Sequence, residues 1–328
     1  MYSSSEIHEI AQLFGFALQD FREITTGSTW MGRRYAVETD AGKLFLKVRS
    51  EWWSNAQAEY VCGLLEHLES HQFPVPSLRR AVDGRPFAVW GGHICECHEF
   101  VVGEPYAIGD LDHIASAAQR LAEFHSLTLR CPRPDANLGQ DVGYPTEERI
   151  RFFAKRIRGF FLAHPEAIHA VDQCVDALIS MDPCHSLPLP RSCAVVHGDY
   201  HAGNLIFDAG GVVAVCDLDL VQAAPRSFDL AYFLYRAAGK SVRSGGGIAK
   251  LDRQGCEIFL AAYHRHLPDS VPPTPEEETA FELLRFARYN ALLTANSTRD
   301  PDRFLLWVAD TNALAQQLRV YLNRGLSP

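Results

Sequence analysis

At Leu111 the apolar residues of this chain change their period. Before that point "RYAVET" and "KLFLKV" flank the turn Asp40-Ala41-Gly42, and "PFAVWGGHICECHEFVV" follows. These are β-rich runs bounded by turn residues, the pattern of strands. Between them Ala58, Val61, Cys62, Leu65 and Leu68 recur at helical spacing, and "FPVP" at 73 to 76 prevents that helix from continuing. From Leu111 onward Ile114, Ala115, Ala118, Leu121, Ala122 and His125 mark one helix face, and helical patterns dominate to the end. The exception is 194 to 218, where "AVVHGD", "NLIFD" and "VVAVCDLD" read as short strands with a turn at Asp208 to Gly211. The pattern predicts an α+β chain with a small β-rich lobe over residues 1–102, a hinge near 99–103, and a large, mostly helical lobe over 103–328. A chain of 328 residues, 47% hydrophobic, is long enough for two such bodies.

Charge and cysteine usage narrow the function. Lys and Arg number 31 against 40 Asp and Glu, a formal charge of -9. That argues against a nucleic-acid surface and leans towards cationic partners. No run of about 18 apolar residues occurs, and "MYSSSEIHEI" lacks the features of a secretion signal, so no membrane association is expected and a cytoplasmic protein is. The nine cysteines include no CxxC pair, and Cys62, Cys174 and Cys216 sit among apolar residues as reduced thiols would. The run Cys95-Glu96-Cys97-His98 has no second ligand pair and reads as strand. Oligomeric state is not legible.

The stretch "VVHGDYHAGNLIF", 195 to 207, holds more polar side chains than a plain turn needs. Asp199 and Asn204 have the spacing of the kinase catalytic loop, in which the Asp accepts the proton of the attacking hydroxyl and the Asn holds a metal ion. Asp217, thirteen residues after Asn204, ends an apolar strand where a second metal-holding carboxylate would stand. Two oxygen ligands from separate loops suit Mg2+, which keeps waters and shares phosphate oxygens. Lys47 in "FLKV" lies on a predicted strand, suited to phosphate oxygens, and Glu59 on the next helix is the expected partner that holds it there. Gly27, with Ser28, is the candidate for the cover over the triphosphate, although Gly27 and Gly32 do not form G-x-G-x-x-G.

With "PVP", "HEFVVGEPY", "LAEFH" and "FDLAYFL", these residues resemble the aminoglycoside phosphotransferase and choline kinase family, small-molecule kinases of protein-kinase-like fold; the similar stretch runs from 27 to 234. The resemblance implies ATP and Mg2+ as cofactors, a small-molecule hydroxyl acceptor (an aminoglycoside, amino alcohol, homoserine or sugar), adenine held by backbone groups of Glu99 to Val101, and Asp229 as a structural acid under the catalytic loop. Departures from the protein kinases bear on the rival readings. Gly198 stands where they carry Arg, and Asp229 comes only twelve positions after Asp217, with no A-P-E element after them. A protein kinase of the same fold is one rival. A nucleotide-binding pseudokinase or structural protein is the other, and it has no need of Lys47, Asp199, Asn204 and Asp217 together.

Plainer roles compete at several positions. Asp219 has three open roles: a second metal ion, the acceptor, or a turn cap. His201 and Tyr200 face either the site or the surface. His197 and His125 read as packed histidines that support the loop. Asp229 is also placed to start a helix. The pairs Phe152-Phe153 and Phe160-Phe161 read as helix packing rather than a substrate cage.

Overall fold

A computed structural model of the protein describes residues 2–25, 32–51, 53–134, 147–180, 193–238, 253–271, 274 and 276–325. In chain order the elements are α1 (Ser4–Leu13), β1 (Leu18–Glu23), β2 (Gly32–Thr39), β3 (Gly42–Arg49), α2 (Asn55–Ser70), β4 (Leu78–Arg79), β5 (Ala88–Trp90) and β6 (His93–Glu99). Then come α3 (Leu111–Thr128), α4 (Glu147–Phe160), α5 (Pro165–Ser180), β7 (Cys193–Val196), β8 (Leu205–Asp208), β9 (Gly211–Val215) and β10 (Gln222–Pro225). The chain ends with α6 (Ser227–Phe233), α7 (Arg253–His266), α8 (Glu276–Thr298) and α9 (Pro301–Gly325). Among the described residues no helix is long and apolar enough to cross a membrane.

These elements form two compact units, one built mainly from the described parts of Met1–Pro105 and Asn204–Val221, the other from the described parts of Tyr106–Arg133, Gln140–Gly203 and Gln222–Pro328. The grouping departs from a simple division of the chain at residue 102, because the β8–β9 hairpin goes with the N-terminal sheet. Backbone bonding explains why. Glu104 and Phe207 exchange N–H···O bonds of 2.7 and 2.9 Å, and the Val215 N–H donates to the Pro74 carbonyl at 2.7 Å. Gly103 permits that approach, since a Cβ there would stand 2.6 Å from the Phe207 carbonyl oxygen.

In the first unit the sheet order is β1-β2-β3-β6-β4 with β5 on β6, antiparallel throughout. Side chains alternate across it. Tyr35 and Val37 of β2, Leu44, Leu46 and Val48 of β3, and Cys95 and Cys97 of β6 pack with Ile7, Ile10 and Phe14 in one core. Each buried large aliphatic side chain contributes about 1.5–3 kcal/mol. That core offsets what the opposite face does, for the same alternation sends Lys47, Arg49 and Glu96 to the other side. Helix α2 starts on a Ser54–Gln57 capping box and buries Ala58, Val61, Cys62, Leu65 and Leu68, the face its sequence spacing predicts.

In the second unit α3 packs on α7, and α8 packs on α4, α5, α6 and α9. Ile150, Phe153, Ile157, Phe161, Val171, Leu178, Leu292 and Phe304 belong to its main apolar core. Phe153 and Phe161 are therefore packing residues, and Phe152 is exposed. Strand β7 pairs with β10, and α6 follows directly. This short sheet holds the chain on both sides of the catalytic-loop motif: β7 ends at Val196, just before His197.

Candidate functional site

The candidate site residues fall into two sets, one in each unit. In the first, β3 presents Lys47 on the face opposite the apolar core, directly across from Glu96 of β6 and Arg34 of β2. A one-turn helix at Leu218–Leu220 follows β9 and brings two carboxylates to this face. The Lys47 Nζ lies 2.8 Å from Asp217 Oδ1 and 2.5 Å from Asp219 Oδ1, and Arg34 Nη2 lies 3.2 Å from Asp217 Oδ2. Asp217 adopts φ 65°, ψ 62°, a left-handed conformation. For a non-glycine residue this costs on the order of 1–3 kcal/mol and is most often retained at functional sites. The hairpin imposes it, because the Cys216 N–H is bound to the Asn204 carbonyl at 2.8 Å just before the chain turns away.

That same bond sets Asn204 and Asp217 at neighbouring backbone positions. One amide and one carboxylate oxygen form a donor set that fits a hard divalent cation completed by phosphate and water. Among the described residues no group of three or more His, Cys, Asp or Glu has a metal-site arrangement. Cys95 and Cys97 point into the apolar core, which removes the Cys-Glu-Cys-His run as a ligand set. Burial, followed by the neighbouring Asp219 charge, raises the Asp217 carboxyl above its ordinary value. For Asp219 burial acts in the same upward direction, but the Arg49 and Lys47 charges prevail and hold it well below the carboxylate range.

The expected Lys47–Glu59 pair is not formed. Glu59 is exposed on α2, about 100° around the helix from the buried Ala58. The carboxylates on Lys47 come from the 217–219 turn instead. Asp219 is 7% exposed, with its carboxylate between Lys47 and Arg49, so it does not cap the turn. Sequence reasoning missed Arg49 and Glu96. Arg49 was legible as the next same-face residue after Lys47; Glu96 required the strand register. Glu99 ends β6 with its side chain exposed and paired to Arg79 at 2.8 Å. Its N–H donates to the Ser77 carbonyl, while no hydrogen bond reaches the Val101 N–H among the described residues. Gly27 and Ser28 lie outside the described residues.

The second set surrounds Asp199. Asp229, fully buried at the start of α6, accepts from the His197 N–H (2.7 Å) and the Gly198 N–H (2.9 Å), and its Oδ2 also receives His125 Nε2–H at 3.0 Å. Because the carboxylate only accepts, His125 is the Nε2–H tautomer and its Nδ1 accepts from the Tyr263 hydroxyl at 2.8 Å. Burial, the largest influence, keeps His125 below its ordinary value against the pull of Asp229. Gly198 has φ +81°, which explains glycine where protein kinases carry Arg.

Asp199 itself sits beside two groups. The Tyr232 hydroxyl donates to Asp199 Oδ1 at 2.5 Å, and His201 Nε2 lies 3.6 Å from the same oxygen while its Nδ1 accepts from the Gly203 N–H. The His201 and Tyr232 rings stack at 5.9 Å. Burial pushes the Asp199 carboxyl up, but the hydrogen bonds and charge from His201 and Tyr232 outweigh it and leave it lowered, hence ionised. Tyr232 was not singled out from the sequence; its signal was the i,i+3 spacing from Asp229, which puts both on one helix face. Tyr200 points away from this group and donates to the Ala117 carbonyl.

A family model described as the phosphotransferase enzyme family matches residues 23–257. A homoserine kinase from Zymomonas mobilis is 23% identical over 296 residues, covering 89% of this chain and 86% of its own. Among solved structures, an amicoumacin kinase in complex with AMP-PNP and Ca2+ superimposes with a TM-score of 0.71 at 14% identity, covering 96% of this chain and 94% of that one. A microcompartment-associated aminopropanol kinase gives a TM-score of 0.71 at 16% identity over 98% of both chains. The two structural likenesses establish a shared fold.

Proposed function

This chain belongs to the phosphotransferase enzyme family, and from that premise we propose that it transfers the γ-phosphoryl group of ATP to the hydroxyl of a small amino alcohol of the homoserine class. The observation that carries the reading is the Lys47 Nζ at 2.8 Å from Asp217 Oδ1, across 170 residues of sequence. It puts a cation suited to phosphate oxygens, on β3, beside a carboxylate suited to metal, in the turn after β9.

In this reading Lys47 binds the non-transferred phosphates, and the backbone at Glu99 to Val101 receives the adenine. Asn204 and Asp217 hold Mg2+, which neutralises charge on the triphosphate when bound. Asp199 orients the acceptor hydroxyl and takes its proton, and the Tyr232 hydroxyl, donating to Oδ1, fixes the orientation of the carboxylate. Asp229 keeps the 197–199 backbone in the shape this requires. Catalysis is then mostly positioning and charge neutralisation, with little covalent work for the protein.

Two considerations favour the acceptor class. The homoserine kinase relative is similar over 89% of this chain, and a formal charge of -9 favours a cationic amine over an anionic acceptor. A cytoplasmic setting, where ATP is abundant and thiols stay reduced, belongs to the same reading. The protein-kinase alternative finds no support: between Asp217 and Asp229 the chain is taken up by a one-turn helix, β10 and the start of α6, with no segment left for regulatory phosphorylation. The test is ADP release with MgATP against homoserine, 1-amino-2-propanol, choline and an aminoglycoside panel. Turnover on an amino alcohol well above the no-acceptor blank is expected. ADP release at the blank rate across the whole panel would overturn the proposal.

A further inference from the structure

Four charged side chains of the first unit are buried together. Lys47 is 5% exposed, Arg49 1%, Glu96 1% and Asp219 7%. Arg49 grips Glu96 with both arms, Nε to Oε1 at 2.9 Å and Nη2 to Oε2 at 2.7 Å, while its Nη1 pairs with Asp219 Oδ2. Asp219 Oδ1 in turn holds Lys47 Nζ at 2.5 Å. The guanidinium stacks 3.9 Å over the Trp53 ring, so its plane is fixed as well. Burial pushes the Glu96 carboxyl up, but the Arg49 charge, the hydrogen bond from His98 and the Lys47 charge together hold it down to about 2.

Such a chain of ions is a poor way to gain stability. Desolvating each ion costs several kcal/mol, and well-packed apolar residues of similar volume commonly do as well or better. Its value lies in where it ends. Lys47 Nζ is shared between Asp217 and Asp219, and of the two it is Asp217 that the phosphotransferase reading assigns to metal. A lysine paired to Asp217 alone would lose its counter-ion whenever metal took that carboxylate.

We propose that Glu96 and Arg49 are positioning residues for nucleotide binding: they clamp Asp219, and Asp219 is the standing counter-ion that keeps Lys47 in place for ATP phosphates. The relay substitutes for a helix glutamate. Its members lie on β3, β6 and the 218–220 turn, and α2 contributes none of them. Lys47 placement therefore does not depend on α2, and this part of the nucleotide site is preset.

The inference rests on the phosphotransferase reading, and the experiment separates the two. Binding of a fluorescent ATP analogue, KM for ATP, KM for the acceptor and Tm are measured for wild type, the double variant Arg49→Met/Glu96→Leu, Asp219→Asn and Glu59→Ala. The apolar double variant is expected to stay folded with a lower Tm, because Asp219 Oδ2 loses its guanidinium partner, while its analogue Kd and ATP KM rise about tenfold and acceptor KM stays unchanged. Asp219→Asn, which preserves volume, shows the same split should the double variant fail to fold. Glu59→Ala leaves all four quantities at wild-type values. Wild-type nucleotide affinity in folded double variant or in Asp219→Asn overturns the relay, as does a tenfold loss from Glu59→Ala. A wild type that binds no analogue overturns the phosphotransferase reading itself, and the relay with it.

Discussion

Asp229→Asn tests the architecture beneath the catalytic loop, because the geometry leaves the substituted amide no satisfactory orientation. Asp229 accepts three hydrogen bonds: Gly198 N–H on Oδ1, and both His197 N–H and His125 Nε2–H on Oδ2. An asparagine supplies one accepting atom and one donating group. With the NH2 at the Oδ1 place, it opposes the Gly198 N–H. With the NH2 at the Oδ2 place, it opposes the His197 N–H; His125 can adapt by changing tautomer and donating Nδ1–H to the Tyr263 oxygen, but a backbone N–H cannot. One buried donor is orphaned either way, at about 1–3 kcal/mol, and the two surviving bonds fall from charge-assisted to neutral, roughly 1 kcal/mol each. The sum is about 3–5 kcal/mol, which at an unfolding entropy of about 2.1 cal/mol/K per residue over 328 residues lowers Tm by about 4–7 °C. Calorimetry gives that shift. Steady-state kinetics on the acceptor from the panel should show a lower kcat at temperatures where the variant is folded, since His197 and Gly198 lead directly into Asp199. A Tm within about 2 °C of wild type together with unchanged kcat would refute the assignment of Asp229 as the support of this loop.

The remaining predictions concern the chemistry and pH. Asp199→Asn should lower kcat by about 10²–10⁴ while nucleotide affinity, measured by titration, stays at the wild-type value; near-normal turnover would make the loop structural. Tyr232→Phe removes a hydrogen bond to the ionised form of Asp199, so the acidic limb of the kcat/KM profile should move to higher pH, and a limb that moves down or stays fixed contradicts the pairing. His125 is buried with its pKa lowered from 6.5, so the unfolded chain binds a proton here that the native state refuses. Stability should fall as pH drops below 6.5, read as a lower urea midpoint at pH 5.5 than at pH 7.5 that a His125→Gln variant no longer shows from this source.

The sequence by itself determined the elements and the intervals between the candidate site residues. Lys47 on a strand, the buried stripe of α2, the turn between β8 and β9, and the Asp199, Asn204 and Asp217 series all follow from local periodicity, turn residues and motif intervals. These depend on neighbours a few residues away, and a linear pattern records them. Even the failure of Glu59 was partly legible, since it lies off the apolar stripe of Ala58, Val61, Cys62 and Leu65. Only the tertiary structure decided which charges meet. Register between β3 and β6 set Glu96 opposite Lys47, the left-handed turn at Asp217 delivered Asp219 to Lys47 and Arg49, and the packing of α3, α6 and α7 joined His125, Asp229 and Tyr263. Ion pairing and buried hydrogen bonding depend on separations of about 3 Å between groups tens to hundreds of residues apart, and no sequence period encodes a distance across a fold.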